Sequence, residues 1–500
     1  MKKNNGKVFL IGAGPGDPDL ITVKGRKIIE TSDAVVYDAL VNELLVARLP
    51  SSVKRIFVGK RGGKPSPSQL SINEVIVREA RKGLQVARLK GGDSLVFGRG
   101  SEEMEYLAEC GIRYEVVPGI TSSIAAPTFA GIPVTHRSVS RSFAVVTGHL
   151  QAGERIDALE LPRADTLVFL MAMANLPALI EKLLADGKFT KKTPAALIRN
   201  GTLPDQEVVT GTLATIVALK EKNGITPPAV FMVGETVRFA KILSWYKKLP
   251  LAGVRVAVLR TSEQSGELIE ELAARGASVV PCPIMRIKPR KNDLRKITPA
   301  LLRKNTMVLF TSPNGAALFM EHLLRNGGDA RSLAGRKVYA LGAGTAAVLL
   351  KYGIKVDALP EKFIAEGLLE LLPLNLAAER ILIPRAAVAR EVLPDTLRRR
   401  GAGVTVLPVY DTVKNEPVRD AFRDGDYVLF TSSSTVDFFY DDPVRRTLSI
   451  VPCCIGAITA KTLRKYCRKK IAVAENATIP ALVKALEARV NAGKKKRKTV

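Results

Sequence analysis

Gly12-Ala13-Gly14-Pro15-Gly16-Asp17 is the first segment whose composition suits a ligand site. Glycines remove side chains where backbone must approach a bound group, and a strand-to-helix turn aims N–H groups at it. Asp38 ends the next apolar run, where a carboxylate could meet a ribose or take a proton. The match to a dinucleotide loop fails in detail. The spacing is GxGxG, and Pro15 lacks an N–H that a phosphate cradle would use. Gly91-Gly92-Asp93 repeats the glycine-acid theme further on. The three histidines, His136, His149 and His322, are scattered. The five cysteines form no CxxC pair, so they read as buried thiols of a reducing cytoplasm and no metal site is expected.

These residues need elements to hold them. Short apolar runs alternate with amphipathic stretches: Lys7 to Ile11 reads as a strand, Val23 to Glu30 as a helix, Ala34 to Tyr37 as a strand. That is an α/β pattern. Five hundred residues suggest about three domains, or two large bilobal ones. The polar segment Trp245 to Gly253 carries proline and glycine and precedes a fresh strand, which places a junction near residue 249. Beyond it the chain repeats itself. Met307 to Ser312 returns as Tyr427 to Ser432, Leu341 to Ala346 as Ile455 to Ala460, and Arg255 to Arg260 as Arg380 to Arg385. Offsets of 120, 114 and 125 residues, in one order, indicate two related α/β lobes with a cleft as a natural ligand site.

Further motifs join the first loop. They are Val36-Tyr37-Asp38, Val58-Gly59-Lys60-Arg61-Gly62-Gly63, Arg88 to Gly100, Val117 to Ser122, and Gly131 to Arg137. Thr147-Gly148-His149, Met171, Asn200-Gly201-Thr202 with Gln206, and Pro228 to Glu235 follow in order. Together, over residues 6–246, they resemble the uroporphyrinogen-III C-methyltransferases of the tetrapyrrole methylase family. The resemblance implies a two-lobed methylase fold, with lobes about 1–120 and 121–248 of a unit 1–248. It implies S-adenosyl-L-methionine bound by Pro15, Gly91, Gly92, Asp93, Val96, Thr121, Ser122, Met171 and Gly201. Asp38 is then the proton acceptor and Lys60 the proton donor. Other readings stand beside these. Asp93 could cap a helix, Asp38 could close an Asx turn, Lys60 could be a solvated lysine, and Met171 could be a core strand residue. Two departures stand out. Ser94 replaces the usual loop proline, which frees an N–H and loosens the loop. Ala172 replaces a glycine, whose extra methyl would narrow the pocket.

Residues 249–490 resemble uroporphyrinogen-III synthase. The motifs are Arg255 to Arg260, Phe310-Thr311-Ser312-Pro313-Asn314, Gly342 to Ala346, Val409-Tyr410, Phe430-Thr431-Ser432 and Gly456 to Ala460. The resemblance implies a two-lobed fold of internally repeated α/β lobes that closes hydroxymethylbilane into uroporphyrinogen III without a cofactor. Thr311, Ser312, Thr345, Thr431, Ser432 and Thr459 are candidates to bind substrate carboxylates, and Tyr410 to assist departure of the hydroxyl. Each Thr or Ser could equally cap a helix. Arg260 and Arg385 could bind carboxylates or form structural ion pairs.

Charge sets the alternatives. Lys and Arg number 76 against 48 Asp and Glu, a net +28. Residues 1–250 hold 34 basic and 24 acidic side chains, and residues 251–500 hold 42 and 24. Five charges lie in Lys494 to Lys498, so residues 491–500 are expected to be a disordered tail. The excess admits a nucleic-acid methyltransferase, but aromatic residues make up only 5% and include one Trp, which offers no stacking platform. A ligand-sensing, catalytically silent second half is the other alternative. The apolar stretch Thr166 to Ile180 is too short to span a bilayer. The partners expected are tetrapyrroles, with neither nucleic acid nor membrane, in a homodimer formed through the methylase half.

Overall fold

The computed structural model describes residues 6–47, 49–50, 52–59, 68–149, 156, 159–260, 265–361, 363–415 and 421–498. The chain divides into two compact units. One comprises residues 1–256, 269–279 and 490–500, and the other 257–268 and 280–489.

The first unit holds two five-stranded sheets. Strands β1 (Lys7–Gly12), β2 (Ala34–Tyr37), β3 (Lys54–Phe57), β4 (Gln85–Lys90) and β5 (Arg113–Val117) lie in the order β3-β2-β4-β1-β5. All pairings are parallel. A parallel sheet is covered on both faces, so its strands read as nearly continuous apolar runs. Val8, Leu10, Val36 and Val86 pack to one side with Ile76, Val77, Ala80 and Leu107. Ile11, Val35, Ala87 and Leu89 pack to the other with Ile29 and Leu45. The helix Val23–Thr31 is capped by the Thr22 hydroxyl, which accepts from the Gly25 amide at 3.1 Å.

Strands β6 (Phe143–Thr147), β7 (Thr166–Leu170), β8 (Pro194–Arg199), β9 (Glu207–Thr212) and β10 (Ala229–Val233) form the second sheet in the order β6-β7-β10-β8-β9. Only β6 and β7 run parallel. The helix Ser122–Phe129 packs on this sheet through Ala126, against Val168, Ala196 and Ile198. The segment after residue 243 is anchored rather than loose. Trp245 Nε1 donates to the Thr128 carbonyl at 3.1 Å, and Tyr246 Oη to the Thr202 carbonyl at 3.3 Å. Both rings pack against Phe129 at a tilt of 58°, with centroids 5.0 Å away.

The remaining strands are β11 (Arg255–Val258), β12 (Ser278–Pro281), β13 (Met285–Pro289), β14 (Met307–Phe310), β15 (Lys337–Ala340), β16 (Arg380–Ala386), β17 (Gly403–Lys414), β18 (Tyr427–Phe430), β19 (Val451–Cys454) and β20 (Ala472–Val473). They form sheets of order β12-β11-β18-β19-β20 and β13-β17-β16-β14-β15. The internal repeat is therefore a repeat of topology. β11, β18 and β19 sit side by side in one sheet as β16, β14 and β15 do in the other. The lobes are not consecutive in the chain, because residues 285–414 form a sheet inserted within the other. Where the chain crosses and returns, the two segments are stitched: the Asn415 amide donates to the Ile284 carbonyl at 2.9 Å and Asn415 Nδ2 to the Pro283 carbonyl at 2.7 Å.

The basic tail departs from expectation. A helix runs from Ile479 to Lys498, so residues 491–498 are helical, not disordered. Leu482, Val483, Leu486 and Val490 bury one face of it. Ala, Leu, Lys and Arg are all strong helix formers, and their propensity extends the anchored helix into the lysine run.

Candidate active sites

In a parallel sheet, ligands bind beyond the carboxyl ends of the strands. There the loops after β1, β4 and β5 meet. Gly14 and Gly92 exchange backbone hydrogen bonds, with the Gly92 amide on the Gly14 carbonyl at 2.7 Å and the reverse bond at 3.2 Å. A Cβ on Gly119 would stand 2.3 Å from the Gly92 carbonyl oxygen and 2.6 Å from Gly12 Cα. Backbone on backbone at that distance excludes any side chain. Loops of the second sheet close on the same place. The Asp17 amide donates to Thr202 Oγ1 at 3.0 Å, while from the first sheet itself Asn42 Nδ2 donates to the Gly16 carbonyl at 2.7 Å. A Cβ on Gly201 would lie 2.3 Å from that of Ala126, in the helix that starts at Ser122. The Ser122 amide is itself 3.8 Å from where a Gly92 Cβ would be. Pro15, Gly91, Gly92, Ser122 and Gly201 thus belong to one constellation. Val96 is half-buried on the loop after Gly92. Thr121 caps the helix, accepting from the Ser123 amide at 3.4 Å.

Backbone strain marks the same crevice. Phe97, Arg99, Met171, Asn200 and Thr202 have φ of 52°, 59°, 56°, 49° and 74°. All five lie in or beside segments expected to line the cofactor. Non-glycine residues in this region cost about 1–3 kcal/mol each and collect at functional sites. Met171 is 49% exposed, so it is not a core strand residue.

One expectation from the departures does not hold. Ala172 is fully buried in the core of the second sheet with Phe169 and Leu176, so its methyl does not enter the pocket. Ser94 is 1% exposed, and its Oγ has no hydrogen-bond partner. The serine carbonyl accepts the Gly100 amide at 3.0 Å, a bond that a proline in this place would make as well.

Asp93 braces loops. Its Oδ2 accepts the Gly119 amide at 2.8 Å and its Oδ1 the Leu95 amide at 2.8 Å. Asp38 does close an Asx turn, Oδ1 accepting the Leu40 amide at 3.1 Å. Its other oxygen accepts from Arg88 Nη2 at 3.0 Å. Lys60 lies outside the described residues.

Arg88 leads to a group the sequence reading passed over. Its Nε reaches Glu103 Oε1 at 3.2 Å, and Lys90 Nζ reaches the same oxygen at 2.7 Å. Gln69 Nε2 adds a third bond there at 3.1 Å. Burial, then the Arg88 charge, pulls the Lys90 ammonium below its usual range, while Glu103 and Asp38 oppose the shift. The signal was present in Gln85-Val86-Ala87-Arg88-Leu89-Lys90, which sets two cations on the face where Val86 is core.

In the second half, Tyr410 Oη and Ser312 Oγ are 3.1 Å apart. Tyr410 is 6% exposed, and burial pushes its hydroxyl above the ordinary range, against bonds from Ser312 and Asn314. Ser312 also caps the helix Pro313–Arg325, accepting the Gly315 amide at 3.1 Å. Ser432 caps the equivalent helix Ser433–Tyr440 in a reciprocal box with Thr435. Thr311 and Thr431 stand half-buried at matching strand ends. Thr345 and Thr459 are buried in the first turns of their helices. Arg385 pairs with Glu391 and donates to the Arg390 carbonyl at 3.1 Å, a structural pairing, and its Nε has no partner.

A family model of tetrapyrrole (corrin/porphyrin) methylases matches residues 7–217, and one of uroporphyrinogen-III synthase matches residues 266–484. The chain is similar to a porphyrin biosynthesis protein HemD of Ruminiclostridium josui, 36% identical over 497 residues, 96% of this chain and 97% of the relative. Its first half is similar to a uroporphyrinogen-III C-methyltransferase of Methanocaldococcus jannaschii, 50% identical over 234 residues, 46% of this chain and 97% of the relative. A solved uroporphyrin III C-methyltransferase from Thermus thermophilus is 37% identical and covers 47% of this chain and 99% of its own, with a TM-score of 0.41. The chain belongs to the tetrapyrrole methylases through residues 7–217 and to the uroporphyrinogen-III synthases through residues 266–484, and is a bifunctional enzyme of tetrapyrrole biosynthesis.

Proposed function

We propose that residues 249–490 cyclise hydroxymethylbilane to uroporphyrinogen III, and that residues 1–248 methylate this product twice to give precorrin-2. The observation that carries the methylase reading is the meeting of the loops after β1, β4 and β5 beside the Asp38 carboxylate. The glycine contacts at residues 12, 92 and 119 leave backbone where side chains would otherwise stand, which fits S-adenosyl-L-methionine. When bound, it supplies an electrophilic methyl group. The residues of this chain then have two tasks. Pro15, Gly91, Gly92, Val96, Thr121, Ser122, Met171 and Gly201 line the crevice and orient what enters it, and orientation supplies much of the rate of a displacement. Asp38 takes the proton that the methylated ring system loses, as a general base. Lys60 is the matching donor.

In the synthase half, Tyr410 donates to the departing hydroxyl, and water leaves as the ring closes. Its bond to Ser312 sets the direction of the O–H. The strand-end hydroxyls of Thr311, Ser312, Thr431 and Ser432 meet carboxylates of the bilane. Thr345 and Thr459, in the first turns of the helices Ala343–Lys351 and Ala457–Leu463, are the remaining candidates to meet the carboxylates.

Among the described residues no helix is long and apolar enough to cross a membrane. Burial pushes the Cys453 and Cys454 thiols up to about 12, which suits buried thiols in a reducing cytoplasm. A homodimer through the methylase half, without nucleic acid, completes the reading, and light scattering at several concentrations tests it. The deciding experiment incubates the whole chain with hydroxymethylbilane and S-adenosylmethionine. The expected product is dimethylated and of isomer III. Isomer I alone, with methyl transfer at background, would overturn both assignments.

A further inference from the structure

The face of the first sheet that holds Val8, Leu10, Val36 and Val86 is apolar until the end of β4. There Arg88 and Lys90 point the same way as Val86, since alternate residues of a strand share a face. Arg88 is 2% exposed and Lys90 5%. The helix Gly100–Glu109 supplies Glu103 to them, which is 1% exposed, and the helix Gln69–Ala80 supplies Gln69, which bonds Glu103 and Asn73. Two buried cations and a buried carboxylate are costly to keep and persist where they serve a purpose. One Glu103 oxygen takes three hydrogen bonds while the other, Oε2, has none. Asp38 is the outermost member, and its side chain is 25% exposed.

We propose that Arg88 is a positioning residue for the Asp38 carboxylate, and that Glu103 and Lys90 behind it set the charge against which Asp38 gains and loses its proton. This rests on Asp38 being the base of the methyl transfer. With Asp38 ionised the cluster holds two cations and two carboxylates and is neutral. With Asp38 protonated it carries one excess positive charge in a buried place. The balance is simple. In each transfer the carbon–sulfur bond breaks with its pair left on sulfur, a carbon–carbon bond forms from ring electrons, and one proton passes from the substrate to Asp38. Arg99 and Glu102, among the described residues, are charged groups coupled to this cluster, and they pair with each other at 2.5 Å. Glu102 also feels Lys90, and Arg99 feels Glu103. Lys90 is pulled down by burial and by Arg88, and Glu103 and Asp38 work against that shift.

The test uses the full chain with uroporphyrinogen III and S-adenosylmethionine, and reads kcat for methylation against pH. A base must be ionised, so activity falls on the acid side. Glu103→Gln removes a negative charge and moves that acid limb down by about one pH unit. Lys90→Met removes a positive charge and moves it up by a similar amount. The double variant restores neutrality and brings the limb back. Arg88→Lys keeps the charge but loses the bridge between two carboxylates. It lowers kcat at least about tenfold with the limb in place and the KM for S-adenosylmethionine unchanged. A packing role alone would not give shifts of opposite sign that cancel in combination. Should one single variant fail to bind S-adenosylmethionine, the other and the double variant still read the sign. Asp38→Asn serves as the reference. If it abolishes methylation while the limb stays fixed in the charge variants and Arg88→Lys keeps the parent kcat, the charge setting and the positioning role are overturned and the base stands. If it methylates at the parent rate, the base assignment falls and this inference with it.

Discussion

Replacing Asp93 by asparagine separates a residue that braces loops from one that touches the cofactor. The carboxylate accepts the Gly119 and Leu95 amides, both at 2.8 Å, one on each oxygen. An asparagine offers one oxygen, and its amide nitrogen would face an N–H. One charge-assisted bond is lost, and one donor is left against a donor. A hydrogen bond to a charged group contributes about 1.5–3 kcal/mol. The Leu95 bond is exposed, so the loss at Gly119 dominates and is about 2 kcal/mol. In a unit of this size each kcal/mol moves Tm by about 2–4 °C, which gives a fall of about 4–8 °C. Thermal unfolding of the full chain without ligand, followed in its first transition, measures it. Titration with S-adenosylhomocysteine measures affinity alongside. The bracing account expects both to fall, because Gly12, Gly92 and Gly119 lose their register. An unchanged Tm with weakened affinity would refute it and return Asp93 to direct contact with the ligand.

Other outcomes follow from the same geometry. Gly119→Ala puts a methyl 2.3 Å from the Gly92 carbonyl and should abolish S-adenosylmethionine binding in calorimetry, whereas Gly266→Ala, with nothing within 4 Å, should not. Tyr410→Phe loses the Ser312 bond and should slow cyclisation at least about tenfold while isomer I accumulates by spontaneous closure, read by chromatography of the products. Ser312→Ala removes a helix cap as well and should cost about 1 kcal/mol of stability by denaturant unfolding, which Tyr410→Phe should not match. Glu115 is held down at about 2 by hydrogen bonds from Lys24 and then Lys7. Its folded value lies below its unfolded one, so its stabilisation is complete above pH 4.5 and is lost as pH falls toward 2. The Tm gap between the parent and Glu115→Gln should close across that window.

The elements were legible because they are local. Lys7–Gly12 and Val23–Thr31 end within a residue of where apolar spacing and glycine placed them. The repeat was legible because matched strand and turn sequences recur at matched offsets. Its insertion was hidden, since strand order depends on pairings such as β11 with β18 that no spacing encodes. The glycine loops stood out by composition, but their mutual approach did not. Arg88 shows the limit most clearly. A lone arginine in a strand reads as an edge or an exposed face. Only the helices carrying Gln69 and Glu103 make it a buried bridge. The tail misled because charge repulsion was weighed without the helix that precedes it.

The nested arrangement of the second half has a bearing on how the chain is made. Synthesis delivers β11 and β12 first, then every strand of the sheet β13-β17-β16-β14-β15, and only afterwards β18, β19 and β20. The inserted lobe is complete while its host still waits for its central strand. It can fold on the ribosome as a unit, whereas β11 keeps an open edge beside it through that interval. The Asn415 bonds to Pro283 and Ile284 need no residue beyond 415, so they are available to tie the two crossings together before β18 is made. Biogenesis of the outer lobe is therefore the vulnerable step. Substitutions that slow the inserted lobe should lower the yield of the whole enzyme more than their effect on its final stability would suggest.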